Sequence, residues 1–262
     1  MAATHIKQFM SALVPNMSKS KAQGITIRTL ATPHEMKACV DLQKTVWGFS
    51  DVEIVPHRMF VVANRTGGQV IGAFEGERTI GFVLGFMARR DGHLYIHSHM
   101  AAVLPEYQNQ GIGRRLKFAQ RDDALSRGVD LIEWTFDPLQ IRNAHFNIVR
   151  LGATVREYLP NVYGCTSSPL HHGLPTDRLV AQWWIRQPRV KQLLSGDAPR
   201  VDAEKQVCVQ RSIFEISEQD ANKAKELQSH IRKQFQQFFG EGLVISGFEI
   251  DLQNGRYLLQ HI

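Results

Sequence analysis

Between positions 103 and 117 the chain reads VLPEYQNQGIGRRLK, and this passage constrains the fold more than any other. Residues 94–103 ahead of it alternate like a strand, and behind it Ile112, Leu116 and Ala119 recur at helical spacing until Gly128. A strand that feeds through a glycine turn directly into a helix builds an anion cradle. Gly111 and Gly113 carry no Cβ, so backbone N–H groups can approach a ligand closely, and the opening helix adds the positive end of its dipole. A diphosphate suits such a cradle. The dinucleotide fingerprint does not, because Arg114, Arg115 and Leu116 supply no third glycine after Gly113.

The surrounding pattern predicts where the cradle sits. A strand over 129–136 follows the turn helix, and strand, helix, strand in that order implies parallel neighbours joined by a right-handed crossover. Upstream, ITIRTL reads as a strand, and Thr32, Pro33 and Glu35 form a capping-box start for a helix that stops near Gly48. A second helix begins near Pro56, and QVIGAFEG and TIGFVLGFM make a hairpin. Downstream come a short helix ending at Leu151, a strand over 153–158, a loop over 160–175 long enough to be functional, and the apolar strand LVAQWWI. After Gln187 a short helix, a strand at 206–210, an amphipathic helix after Ser217 and two final strands complete the chain. The expected fold is α/β (α+β), its sheet holding an antiparallel hairpin and one parallel pair. Residues 1–24 are expected to be a flexible extension, 25–186 the core, and 187–262 an α/β extension packed on it.

The 262 residues are 43% hydrophobic and 21% charged, the balance of a globular chain. No run approaches the ~18 apolar residues of a membrane span, so no membrane partner is expected. Cys39, Cys165 and Cys208 lack CxxC spacing, which argues for no metal, no disulfide framework and a reducing cytoplasm. The net charge of +6 favours anionic ligands such as nucleotides or acyl-CoA. Without a Lys/Arg run interleaved with aromatics, nucleic acid is not expected as a partner.

The element order together with QNQGIG resembles the GCN5-related N-acetyltransferase (GNAT) superfamily. More narrowly, SHMAAVLPEYQNQGIG, EWTFDPLQIRNAHFNIVRLGA and the closing GFEIDLQNGRYLLQ are similar to a bacterial subgroup in which some members are thought to be amino-acid N-succinyltransferases. The resemblance implies a mixed, mostly antiparallel sheet with one splayed parallel pair and helices on both faces, an acyl-CoA co-substrate, acetyl-CoA or succinyl-CoA, and a small amine acceptor, an amino acid in first place. It leaves a homodimer open. Carried over by position, Gln108, Gln110, Gly111, Ile112, Gly113 and Arg114 form the diphosphate loop. Ala101, Ala102 and Val103 supply backbone to the pantetheine, and Asn143 and Phe146 flank it. The tyrosine that many members use as general acid falls here on Ile148, with Asn147, Tyr158, Tyr163 or solvent as stand-ins.

Alternation along the two parallel strands puts His97, His99 and Ala101 on one face, and Glu133, Thr135 and Asp137 away from the core. His99 and Glu133 are the candidate catalytic pair, either of them suited to accept an ammonium proton. A distal carboxylate would be met by Arg142 or Arg150. Two other functions fit the same cradle: a protein N-acetyltransferase, and a CoA-binding regulatory module without turnover.

Overall fold

The computed structural model describes residues 24–164, 166 and 168–262. The extension expected over 1–24 therefore lies outside the described residues except for Gly24, as does Cys165. Strand β1 (Ile25–Thr29) leads to α1 (Pro33–Trp47). Thr32 Oγ1 accepts from Glu35 N at 3.2 Å and Glu35 Oε2 accepts from Thr32 N at 3.2 Å, so the expected capping box closes from both sides. Gly48, at φ 64°, ends the helix.

Helix α2 (His57–Arg65) precedes a meander of β2 (Gln69–Glu75), β3 (Arg78–Arg90) and β4 (His93–Val103). Then follow α3 (Ile112–Ser126), β5 (Leu131–Phe136), and α4 (Ile141–His145), which runs into a π-helical turn over Phe146–Arg150. β6 (Thr154–Leu159) and β7 (Arg178–Trp184) flank the long loop. The tail supplies α5 (Pro188–Ser195), β8 (Lys205–Gln210), α6 (Ile213–Gln219), α7 (Ala221–Gly240), β9 (Val244–Ile250) and β10 (Asn254–Gln260). The single helix expected after Ser217 is broken at Asp220, whose Oδ1 accepts from Asn222 N and Lys223 N at 3.1 and 3.0 Å and caps α7.

All ten strands share one sheet, ordered β1-β2-β3-β4-β5-β7-β6-β9-β10-β8. Helices cover both of its faces. On β3 the Phe82 ring meets Phe60 of α2 at 5.4 Å, whereas a Cβ on the adjacent Gly81 would face Leu116 of α3 at 3.4 Å. Among the described residues only β4 and β5 are parallel, and they pair only at Ile96–Ile132 and His97–Glu133. Beyond that point β5 continues along β7 to Phe136, and the two parallel strands part. The tail extends the same sheet through Val155 and Ile245, while Arg189 of α5 donates to the carbonyls of Gly152 (3.1 Å) and Ser246. No helix among the described residues is long and apolar enough to cross a membrane.

Candidate active site

The glycine turn follows the end of β4, beyond the point where the two parallel strands part. After a 3-10 turn over Pro105–Tyr107, Asn109 (φ 60°) and Gly111 (φ 80°) take the left-handed conformation. A Cβ on Gly111 would meet nothing within 4 Å, so the positive φ, not a lack of room, calls for glycine there. Gly111 starts α3 with no side-chain cap, and the first N–H groups of the helix are left without intrahelical partners. Unpartnered N–H groups at a helix start are the kind of donors that an anion such as a diphosphate can take. Gln108 Nε2 donates to Val103 O (2.9 Å) and Gln110 Nε2 to Glu106 O (3.0 Å). Both glutamines therefore brace the turn through their amide nitrogens. A Cβ on Gly113 would lie 3.9 Å from Phe146 Cζ, which sets the π turn beside the helix opening. Arg114 lies over the Phe118 ring at 4.5 Å, and Asn143 is exposed, its Oδ1 accepting from Asn147 Nδ2 at 3.3 Å.

His99 departs from regular alternation. Gly85 pairs with Ser98 and Leu84 with Met100, so His99 is the extra residue of a β-bulge. Met100 and Ala102, opposite Leu84 and Phe82, thereby join the face of His97, and Ala101 crosses to the other face. The expected grouping of Ala101 with His97 is corrected by this bulge. His99 itself stays near His97, ring centroids 6.1 Å apart, and against Phe86 at 5.8 Å. It stands two residues past the last parallel pair, where the strands open. Burial pulls both imidazoles below their ordinary range, so each is neutral near pH 7. The register sets His97, not His99, level with Glu133. Glu133 is held by Arg90 at 3.2 and 2.5 Å and by Gln182 Nε2 at 3.4 Å, a satisfied carboxylate that fixes this part of the sheet.

On the α3 side of the opening sits Lys117, which the sequence reading passed over. Its Nζ meets Ser98 Oγ of β4 at 3.0 Å and Gln120 Oε1 at 2.6 Å. Complete burial lowers this ammonium to about 7.

The opposite face carries a second unanticipated group. Asp137, directly after β5, is raised to about 6 by burial, against the Leu139 N–H (2.8 Å) and Arg178, which hold it down. Arg178 Nη1 lies 3.9 Å from Asp137 Oδ2, Arg178 Nη2 is 2.8 Å from His171 Nε2, and the guanidinium lies 5.1 Å from the Tyr163 ring centroid. Tyr163 Oη reaches Thr135 Oγ1 at 3.2 Å. Thr135 and Asp137 were placed off the core by alternation, but nothing local joins them to Arg178, Tyr163 and His171, which the loop after β6 brings in. Ile148, at the position of the missing tyrosine, is fully buried, and of the stand-ins for the general acid Asn147 is nearly so. Tyr158 Oη is committed to Asp177 at 2.5 Å, and burial raises it far above the ordinary phenol range. Tyr163, half-exposed, is the tyrosine whose hydroxyl lies on the cleft face. Among the described residues no group of His, Cys, Asp and Glu forms a metal site.

Residues 36–147 match the model of the acetyltransferase (GNAT) family. No curated protein matches the chain. Among solved structures, a Desulfovibrio desulfuricans protein assigned to the GNAT family is 16% identical, with a TM-score of 0.50 over 62% of this chain and 99% of that one. The ribosomal-protein-S18-alanine N-acetyltransferase of Escherichia coli is 17% identical, with a TM-score of 0.49 over 62% of this chain and 95% of that one. The yncA protein of Salmonella typhimurium, solved with acetyl-CoA, is 18% identical, with a TM-score of 0.47 over 63% and 95%. The match over residues 36–147, the parted parallel strands and the likeness to the Desulfovibrio desulfuricans structure show that the core of this chain has the GNAT fold.

Proposed function

We propose that this protein transfers an acyl group, acetyl or succinyl, from acyl-CoA to the primary amine of a small metabolite, in first place an amino acid. One observation carries the reading: the α3 N-terminus, uncapped and led by a left-handed glycine, stands at the mouth of the only parallel strand pair among the described residues. In this reading the main chain from Gln108 to Arg114 holds the diphosphate, while Ala101, Ala102 and Val103 on one side and Asn143 and Phe146 on the other line the pantetheine path. Val103 O already accepts from Gln108, and Ala102, opposite Phe82 and two residues before the Leu104 N–Ile80 O bond, is taken up by the ladder to β3, which leaves Ala101 as the freer backbone partner.

The thioester supplies an activated carbonyl. An amine must lose a proton to attack it, and the neutral imidazole of His99, at the opening of the strands, takes that proton directly or through water. Glu133 acts indirectly by fixing Arg90 and lying beside His97. The amine nitrogen forms the new C–N bond, the C–S bond breaks, and the thiolate is reprotonated by solvent or by Tyr163. Release of free CoA thiol from acetyl-CoA and from succinyl-CoA, measured against a panel of amines, tests this function. Amine-dependent release is expected, and amine-independent background alone overturns it.

A further inference from the structure

Two aspartate–arginine pairs lie next to each other at the start of β7, and they are built differently. Asp177 has no exposed side-chain surface and receives Arg232 through two hydrogen bonds, Nε to Oδ2 at 3.0 Å and Nη2 to Oδ1 at 2.8 Å. Tyr158 Oη and Asn161 N (2.9 Å) complete its shell. That pair is closed. One residue on, Arg178 points to the other side of the sheet, and its contact with Asp137, at 3.9 Å, is longer than a hydrogen bond. Its other partners are the His171 ring nitrogen and the Tyr163 ring, neither of which carries a neutralising charge. The side chains of Asp137 and Arg178 keep 13% and 11% of their surfaces open. An arginine nearly withdrawn from water without a hydrogen-bonded carboxylate is poised to take one from a ligand.

The strand order gives this pair a direction. Phe136 pairs with Leu179, so Asp137 and Arg178 continue that register side by side, Asp137 on the β5 side and Arg178 on the β7 side. β5 borders the opening against β4, whereas β7 lies one strand farther away. A ligand bound across the two residues therefore turns the end that faces Asp137 toward the opening and toward His99.

From this the geometry points to an acceptor subsite for amines that carry a carboxylate on the adjacent carbon: Arg178 takes the carboxylate, Asp137 orients the ammonium toward the opening, and Thr135 and Tyr163 flank them. The inference rests on the acyl-transfer reading and specifies its acceptor side. Burial raises the pKa of Asp137 to about 6, which still leaves it charged at neutral pH and able to face an ammonium. An α-amino acid matches both charges. A peptide N-terminus, whose adjacent carbon bears an amide, matches only one.

The test compares each amino acid of a panel with its carboxamide, both as acceptors and by calorimetry on protein loaded with a nonhydrolysable acyl-CoA analogue. Wild type is expected to favour the acid over the amide by about 100-fold, the cost of leaving a built polar partner unanswered. In R178Q that preference collapses to within about threefold through a higher KM for the acid, and R178K restores part of it. The wild-type comparison decides the matter even if R178Q fails to fold. Equal use and equal binding of acid and amide by wild type overturn the subsite, as does an R178Q protein that loses both acceptors alike. In those outcomes amine-dependent thiol release still stands and so does the acyl-transfer function. Absence of release with every amine overturns the function instead.

Discussion

Lys117 of α3 holds its ammonium 3.9 Å from the centre of the Trp134 ring on β5, while hydrogen-bonding Ser98 on β4. One buried amine thus touches both strands just past their last parallel pair. In the unfolded chain such a lysine titrates near ~10.4, whereas burial brings it to about 7 in the fold. Between those values the unfolded chain holds a proton that the folded chain lacks, so stability rises with pH across that window and is lowest below it. Lys117→Met removes this slope and stabilises the protein at pH 7 by an amount on the order of 2–4 kcal/mol. Urea midpoints at pH 7 and pH 9.5 check it. A steeper pH response in the variant than in wild type would contradict the assignment.

Gly111→Glu places a carboxylate and a disfavoured left-handed backbone, at φ 80°, at the start of α3. Binding of CoA, followed by calorimetry, is expected to weaken by about 100-fold or more. Gly111→Ala carries the backbone strain alone, about 1 kcal/mol, and weakens binding far less. Unchanged affinity in the glutamate variant would remove the turn from the binding site.

His99→Ala should leave CoA affinity intact and slow amine-dependent turnover by roughly 10²–10⁴-fold. Because burial lowers the His99 pKa, the imidazole stays neutral at pH 7, and wild-type kcat/KM should fall only on the acid side of the ordinary histidine value. Loss of that acid limb in the variant is the expected signature. An unaltered pH–rate profile would assign the proton transfer elsewhere.

Arg232→Met leaves the buried Asp177 carboxylate without its cation. The expected loss is about 3 kcal/mol of stability, since removing one partner strands the other in a dry site. Pairing it with Asp177→Asn recovers much of that loss. Denaturant midpoints of the single and double variants form the cycle that tests it.

Local chemistry made several features legible before any coordinates. Thr32, Glu35 and Gly48 announce α1 because capping depends on residues a few positions apart. The turn through Gly111 is legible for the same reason, since only its own backbone must turn left-handed. The bulge at His99 was not, because it arises from how β4 registers against β3, and alternation assumes an unbroken ladder. Lys117 reads as an ordinary helix surface residue, and only the packing of Ser98 and Trp134 reveals it as interior. The group at Asp137 stayed hidden because Tyr163, His171 and Arg178 come from a loop and the strand beyond it, with no spacing rule to connect them.

That loop is gripped from behind by the last quarter of the chain. Arg232 holds Asp177, Gln228 Nε2 donates to Pro175 O at 2.8 Å, and Ser217 Oγ to His172 O at 3.0 Å. Tyr257 Oη, from the final strand, donates to Pro138 O at 2.7 Å, one residue from Asp137. A protein trimmed after β7 would lose the residues that brace this loop, and with them the scaffold of the proposed acceptor subsite. If the proposed transfer holds, substitutions far along the C-terminal segment become levers on which amines are chosen, and any redirection toward new nucleophiles begins there.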